Sequence, residues 1–71
     1  MKLKYHQHTI VSGIISKEST EKYTIQIKNT RFVLKGSIHN DLSGQMVTIT
    51  GIPIYGVDTE NEFIIIELKK I

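Results

Sequence analysis

The chain has 71 residues, which is enough for one domain and excludes a second. It has no cysteine, which excludes disulfides and thiolate metal sites, and no apolar run near the ~20 residues of a membrane-spanning helix. The net charge is +2, but residues 1–40 carry seven Lys or Arg against two acidic residues, whereas residues 41–71 carry two against five. This asymmetry predicts attraction of an anionic partner to one side of the molecule, or ordinary solvation of alternate strand faces.

The first eight residues are polar and basic and lack the apolar stretch of a signal peptide. The expected location is therefore the cytoplasm, the alternative being a mature chain whose signal has been removed. We treat residues 1–8 as an N-terminal segment, flexible or ordered, that precedes a single β-barrel domain over residues 9–71. The domain contains no alanine and many isoleucines and threonines, a composition that favours strands over helices.

A first strand is predicted over residues 9–16, with a bulge or sharp bend at Gly13, and a polar turn over residues 17–21. Residues 23–28 then alternate strictly between apolar and polar side chains, and residues 31–35 follow after Asn29-Thr30. Two such runs, separated by two residues, predict a β-hairpin.

In the register set by that loop, residue 28 faces 31, 27 faces 32, 26 faces 33 and 25 faces 34. One face of the hairpin then carries the side chains of a buried core, Ile25, Ile27, Phe32 and Leu34. The other face carries Thr24, Gln26, Lys28, Arg31, Val33 and Lys35. This separation of apolar from polar side chains predicts one buried and one solvated face.

The rest of the chain predicts a connector and two further strands. Residues 36–44 form the connector, in which Asn40 or Asp41 starts a single helical turn that Gly44 closes. A fourth strand covers residues 45–51, and Pro53 beyond it ends the pairing or lies on an edge. An acidic loop over residues 55–61 leads to a fifth strand over residues 62–69, apolar on both faces in its middle. The predicted fold class is all-β, a small five-stranded antiparallel barrel.

This pattern of strands and glycines resembles a small OB-fold domain. The resemblance rests on the 23–35 hairpin, the final Ile-rich strand and the spacing L-x-G-x-x-V-x-I-x-G, here Leu42, Gly44, Val47, Ile49 and Gly51. It implies a barrel that binds ligands across strands two and three and the loops beside them. The chain departs from many OB-folds because it has no long helix between strands three and four. A barrel of SH3 or Sm type fits the pattern nearly as well.

The residues do not predict an enzyme or a cofactor site. The glycines are scattered, with no phosphate-binding loop, and the serines have no catalytic motif around them. His6 and His8 would share one face of a strand, which supplies at most two metal ligands. We therefore expect a non-enzymatic binding protein with no cofactor, no metal and no membrane partner.

Two binding functions are predicted. The first is weak, salt-dependent binding of single-stranded nucleic acid, through the basic hairpin face and the loops that flank it. Its candidate site residues are Lys17, Lys22, Lys28, Arg31, Lys35 and Tyr55. The outward face of the hairpin lacks the aromatic side chains on which bases stack, so the binding is expected to be mainly electrostatic; the alternative is a merely solvated face.

The second function is a protein-interaction or oligomerisation module that uses the apolar strand Phe63–Ile66. One side of this strand must be covered by a barrel end, the N-terminal segment or another subunit. Strand addition at an open edge is one route to such contact.

Overall fold

A computed structural model describes residues 4–38 and 42–71. Its five strands are β1 (Thr9–Ser19), β2 (Lys22–Ile27), β3 (Thr30–Lys35), β4 (Met46–Ile54) and β5 (Asn61–Lys70). They close into a barrel in the order β1-β2-β3-β5-β4, with β4 pairing back onto β1. The described residues contain no helix. The predicted all-β class and the five-stranded barrel are confirmed.

The strand directions correct one part of that prediction, because the barrel is not purely antiparallel. Four of the neighbouring pairs are antiparallel, but β3 and β5 run parallel, with Leu34 opposite Phe63. An odd number of strands in a closed ring cannot alternate in direction all the way round. Any closed five-stranded barrel therefore contains at least one parallel pair.

The hairpin of β2 and β3 has the predicted faces but not the predicted register. Its four core side chains, Ile25, Ile27, Phe32 and Leu34, are all buried. Ile25 lies opposite Phe32, and Ile27 lies opposite Thr30. Each residue of β2 therefore pairs with a residue two positions earlier in β3 than predicted. The loop is Lys28-Asn29, and Lys28 adopts the left-handed conformation with φ 55°. The β-branched Thr30 instead begins β3, where its side chain favours extended backbone. A slip of two residues leaves every side chain on its predicted face.

Strand β1 is longer than predicted and is shared between two neighbours. It pairs with β4 as far as Ile14 and with β2 from Ile15 onward. The register is regular at Gly13, where a bulge was one of the two predictions, and shifts instead between Lys17 and Ser19. An added Cβ at Gly13 would lie 3.1 Å from the Ile25 side chain, so this glycine lets β1 pass close over β2 as it changes partner.

Pro53 lies inside β4, where it is buried opposite Phe63, so the pairing with β5 does not end there; the other predicted alternative, a position on an edge, describes its side that faces β1. The side of β4 that faces β1 is free of strand pairing beyond Gly51, because β1 begins at Thr9. On that side the Pro53 carbonyl accepts a hydrogen bond of 2.8 Å from the His6 N–H. The missing proline N–H therefore costs no strand-to-strand hydrogen bond.

The two ends of the barrel are closed differently. At one end Tyr5 packs against Phe32, with ring centroids 6.2 Å apart, so the described part of the N-terminal segment lies against the barrel. At the other end Leu42 is buried, and the Gly44 N–H donates to the Ile15 carbonyl over 2.7 Å. The predicted helical turn starts within residues 39–41, which lie outside the described residues.

Candidate functional site

A polar groove of about 550 Å³ crosses the outer side of the barrel over β3, between the loop at residues 20–21 and the loop at residues 55–60. Its walls are Ser19, Glu21, Lys22, Val33, Leu34, Lys35, Gly36, Thr59, Glu60 and Glu62. The groove therefore lies on the face of the hairpin that the sequence predicts to be basic and solvated.

Three of the predicted site residues lie in or beside this groove, and two of them share one carboxylate. Lys22 Nζ lies 2.8 Å from Glu60 Oε1, and Arg31 Nη2 lies 3.3 Å from the other oxygen of the same carboxylate. Arg31 Nη1 also binds Glu18 Oε1 at 2.8 Å. Lys35 Nζ lies 3.8 Å from Glu62 Oε2 at the far side of the groove. Lys22, Arg31 and Lys35 thus form a row of cations in which each is paired with a glutamate.

The other three predicted residues lie outside the groove. Lys17 is on β1, with its ammonium 5.8 Å from the centre of the Tyr23 ring. Lys28 is in the β2–β3 loop, two residues after Gln26, which lies opposite Arg31. Tyr55 is exposed just after β4 and makes an edge-to-face contact with Tyr5 over 5.7 Å. Tyr55 is therefore an aromatic ring at the end of the barrel and not a wall of the groove.

The three glutamates that lie among these cations are not among the residues that the sequence predicts for the site. Glu60 and Glu62 belong to the acidic half of the chain, and they pair with cations of the basic half. The charge asymmetry along the sequence is therefore largely cancelled in space at this face. A strict alternation pattern in β1 places Glu18 outward, but its contact with Arg31 follows only from the order of the strands.

The ion pairs also explain why two outward-facing residues are buried. Thr24 and Val33 lie opposite each other on the outer face of the hairpin, yet both are almost inaccessible to solvent. The Thr24 hydroxyl contacts Glu18 Oε1 at 3.4 Å, beneath the Glu18–Arg31 pair. Long charged side chains commonly cover apolar surface with their methylene stems. The predicted solvated face is thus a layer of paired charges that covers the two buried side chains of Thr24 and Val33.

Glu60 is the carboxylate on which this layer depends most. Its hydrogen bond with Lys22, and then that with Arg31, holds the pKa of Glu60 below its ordinary value of 4.5. A carboxylate whose pKa is lowered by folding stabilises the folded state above its unfolded pKa, and this contribution is lost as the pH falls through the folded pKa.

Replacing Glu60 with glutamine is therefore expected to lower the urea midpoint slightly at neutral pH, because exposed ion pairs contribute little. The difference from the wild type should persist down to about pH 4.5 and close below it. Urea unfolding of both proteins, followed by circular dichroism at a series of pH values, measures this. A difference that grows on acidification would contradict the assignment.

The apolar C-terminal strand divides its side chains between the two sides of the barrel. Phe63 is fully buried and Ile65 packs against the core, whereas Ile64 and Ile66 are exposed. The strands close into a ring, but β5 pairs with β3 only as far as Ile64. Beyond that residue the side of β5 that faces β3 has no strand partner among the described residues, so contact with another protein at this strand could use that edge as well as the exposed side chains.

Within residues 4–38 and 42–71, no three histidine, aspartate or glutamate side chains are grouped as metal ligands would be. The same residues contain no helix of the length and apolar character that crossing a membrane requires. Comparison with protein-family models, with curated proteins and with solved structures found no match for this chain.

Proposed function

We propose that this barrel is a non-enzymatic, cytoplasmic, OB-fold-like module that binds single-stranded nucleic acid weakly through the groove over β3. The observation that carries the proposal is a polar groove bordered by the β1–β2 and β4–β5 loops, with Lys22 and Lys35 in its walls and Arg31 beside it. In OB-folds, ligands bind across strands two and three and the loops beside them. Phosphates in the groove would meet the row of cations.

Two features of the fold support the OB-fold-like assignment over an SH3- or Sm-like one. The strand order is not sequential around the barrel, since β5 lies between β3 and β4. That order is a Greek-key arrangement, which is the type of the OB-fold. The groove also occupies the corresponding position between two loops.

The paired glutamates set the expected strength of binding. A phosphate must replace a carboxylate at each cation, and exposed pairs of this kind are worth only about 0–1 kcal/mol, so the exchange is cheap. On the outer face of the hairpin Thr24 and Val33 are buried and Gln26 is exposed, and none of the three can stack on a base. Affinity should therefore come from phosphate contacts and depend strongly on salt.

Fluorescence anisotropy with labelled single-stranded DNA and RNA of about 12 nucleotides tests the proposal. Three phosphate contacts predict that affinity falls by about 70-fold between about 20 mM and about 150 mM salt. If neither the DNA nor the RNA binds at the lower salt concentration, the proposal is wrong.

The residues are tested by changing Lys28, Arg31 and Lys35 together to alanine. We expect this variant to remain folded, because all three side chains are exposed, and to bind single strands about tenfold or more weakly at low salt, since phosphate contacts are lost. The slope of log affinity against log salt should become shallower by about 1 to 2.

A control changes Lys4 and Lys70 to alanine, which removes two positive charges from residues that do not line the groove. This control should lose little affinity. Equal losses in the two variants would mean that net charge alone, and not the hairpin face, attracts the strand.

A further inference from the structure

The side of the barrel opposite the groove carries an apolar surface that no part of the described chain covers. Its members point outward from β1, β4 and β5. Four of them are exposed: Ile10 (61 %), Ile14 (52 %), Met46 (44 %) and Ile64 (41 %). Together with the half-buried Ile52, they form what we call the outer isoleucine face.

The strand register makes these side chains neighbours. Ile14 lies directly opposite Met46, and Ile52 directly opposite Ile64. Ile10 lies opposite Thr50, on the diagonal from Ile52. The face therefore spans three paired strands, with an apolar pair at each end and the rows of Ser12–Thr48 and Ile10–Thr50 between them.

Two of the polar side chains within the face already have a hydrogen-bond partner in each other. Between the two apolar pairs, Ser12 and Thr48 lie opposite each other, and their hydroxyls form a hydrogen bond of 3.1 Å. A hydroxyl that already has a partner costs much less to remove from water than one without.

The charges on the face are self-complementary. Between the two apolar pairs the outward positions of β5 carry Glu67, opposite Thr50, and Lys69, opposite Thr48, and the two side chains lie 3.8 Å apart. A two-fold axis that lies in the interface, perpendicular to the strands, would set the β5 strands of two molecules antiparallel. With that axis between the rows of Thr48 and Thr50, Glu67 of each copy would face Lys69 of the other, and Ile52 would face Met46. A second copy of this chain thus matches both the apolar area and the charge pattern.

We infer that the protein forms a homodimer through the outer isoleucine face, with β4 of each copy at the centre of the interface. The exposed isoleucines lie on the outer face of the sheet and not along a strand edge, so the two sheets meet face to face. A domain of this size has a limited core, and association adds buried apolar area that the single chain lacks. Because β4 is flanked by β1 and β5, the grooves over β3 stay open in both copies.

Sedimentation velocity between about 10 μM and about 1 mM protein tests this inference without any nucleic acid. We expect the wild type to shift from monomer to dimer within this range. Ile14→Lys should raise the dimer dissociation constant about 100-fold, because a two-fold interface buries the introduced charge twice. A monomeric wild type throughout, or a variant that dimerises as well as the wild type, would overturn the inference.

Two further variants keep the test decisive. Val57→Lys makes the same type of change at an exposed apolar residue in the β4–β5 loop and should leave dimerisation unchanged. If circular dichroism shows Ile14→Lys to be unfolded, Ile10→Lys takes its place, at a more exposed position on the same face. Equal effects of Val57→Lys and the face variants would overturn the proposed surface.

The orientation of the two copies has its own test. Glu67→Lys and Lys69→Glu, made singly, should each weaken the dimer, since each places like charges opposite one another. The double exchange of Glu67→Lys with Lys69→Glu should restore dimerisation. Failure of the double variant to recover would overturn the antiparallel arrangement of the two β5 strands.

Discussion

Changing Gly51 to alanine is expected to remove most of the domain's free energy of unfolding. An added Cβ there would overlap the carbonyl oxygen of Ile64 and lie 2.7 Å from a ring carbon of the buried Phe63. Neither neighbour can move freely, because one is backbone and the other is a core side chain. Overpacking of this kind costs about 3 kcal/mol or more, against a net stability of about 3–5 kcal/mol for a domain of this size. Urea unfolding followed by circular dichroism measures the loss.

Gly44→Ala is the matched control for this experiment. Gly44 has φ 81°, but nothing lies within 4 Å of the position that a Cβ would occupy. Only the left-handed backbone conformation should penalise alanine there, by about 1–2 kcal/mol. The opposite order, with Gly44→Ala more damaging than Gly51→Ala, would mean that local backbone strain and not close packing of β4 on β5 limits the fold.

The place of Gly51 in the barrel explains why this position is so demanding. The register of β4 against β5 shifts between Thr50, opposite Glu67, and Gly51, opposite Ile65. Ile66 is the extra residue of this bulge. Bulges bend a strand and increase its twist, which a short barrel needs in order to close. The glycine lets the two backbones come together at that bend.

Local patterns in the sequence predicted the inner face of the hairpin correctly. Strict alternation in residues 23–28 and 31–35 assigns Ile25, Ile27, Phe32 and Leu34 to the core, and all four are buried. The register was wrong by two residues because the faces are the same for either loop, and only the backbone preferences of Lys28, Asn29 and Thr30 distinguish them. Alternation determines which side chains are buried, but turn geometry determines which ones are neighbours.

The groove could be predicted only in part, for a related reason. Lys22, Arg31 and Lys35 follow from the hairpin, but their partners come from distant parts of the chain. Glu62 comes beside β3 only because β5 pairs with it in parallel, and Glu60 lies in the loop that precedes β5. No local pattern encodes a pairing of two strands separated by a third. Charge balance on a surface therefore needs the topology as well as the sequence.

The two proposals concern opposite sides of the barrel and reinforce each other. A single groove with three cations and no stacking aromatic is expected to hold a strand weakly. A dimer through the outer isoleucine face carries two such grooves. Linked sites bind a long strand more tightly than either site alone, provided that the strand can reach both. Nucleic acid longer than one site should therefore bind the dimer more tightly than it binds the variant Ile14→Lys.

Glu60→Gln is expected to strengthen the binding of single-stranded nucleic acid, although it weakens the fold slightly. The substitution removes the carboxylate that pairs with both Lys22 and Arg31. Phosphates no longer compete with two exposed ion pairs, each worth about 0–1 kcal/mol, so we expect affinity to rise by a few-fold and by at most about 30-fold. The slope of log affinity against log salt should change by less than about 1, since the same phosphate contacts form in both proteins.

Glu21→Gln separates this mechanism from a change in overall charge. Glu21 lines the same groove and carries the same charge, but neither Lys22 nor Arg31 pairs with it. It should therefore raise affinity only through the general field, by a few-fold at low salt and less as screening increases. Anisotropy titrations of both variants at several salt concentrations compare the two effects. Equal gains from Glu21→Gln and Glu60→Gln would show that the groove responds to net charge alone. A loss of affinity in Glu60→Gln would show that the carboxylate positions the cations for the strand instead of competing with it.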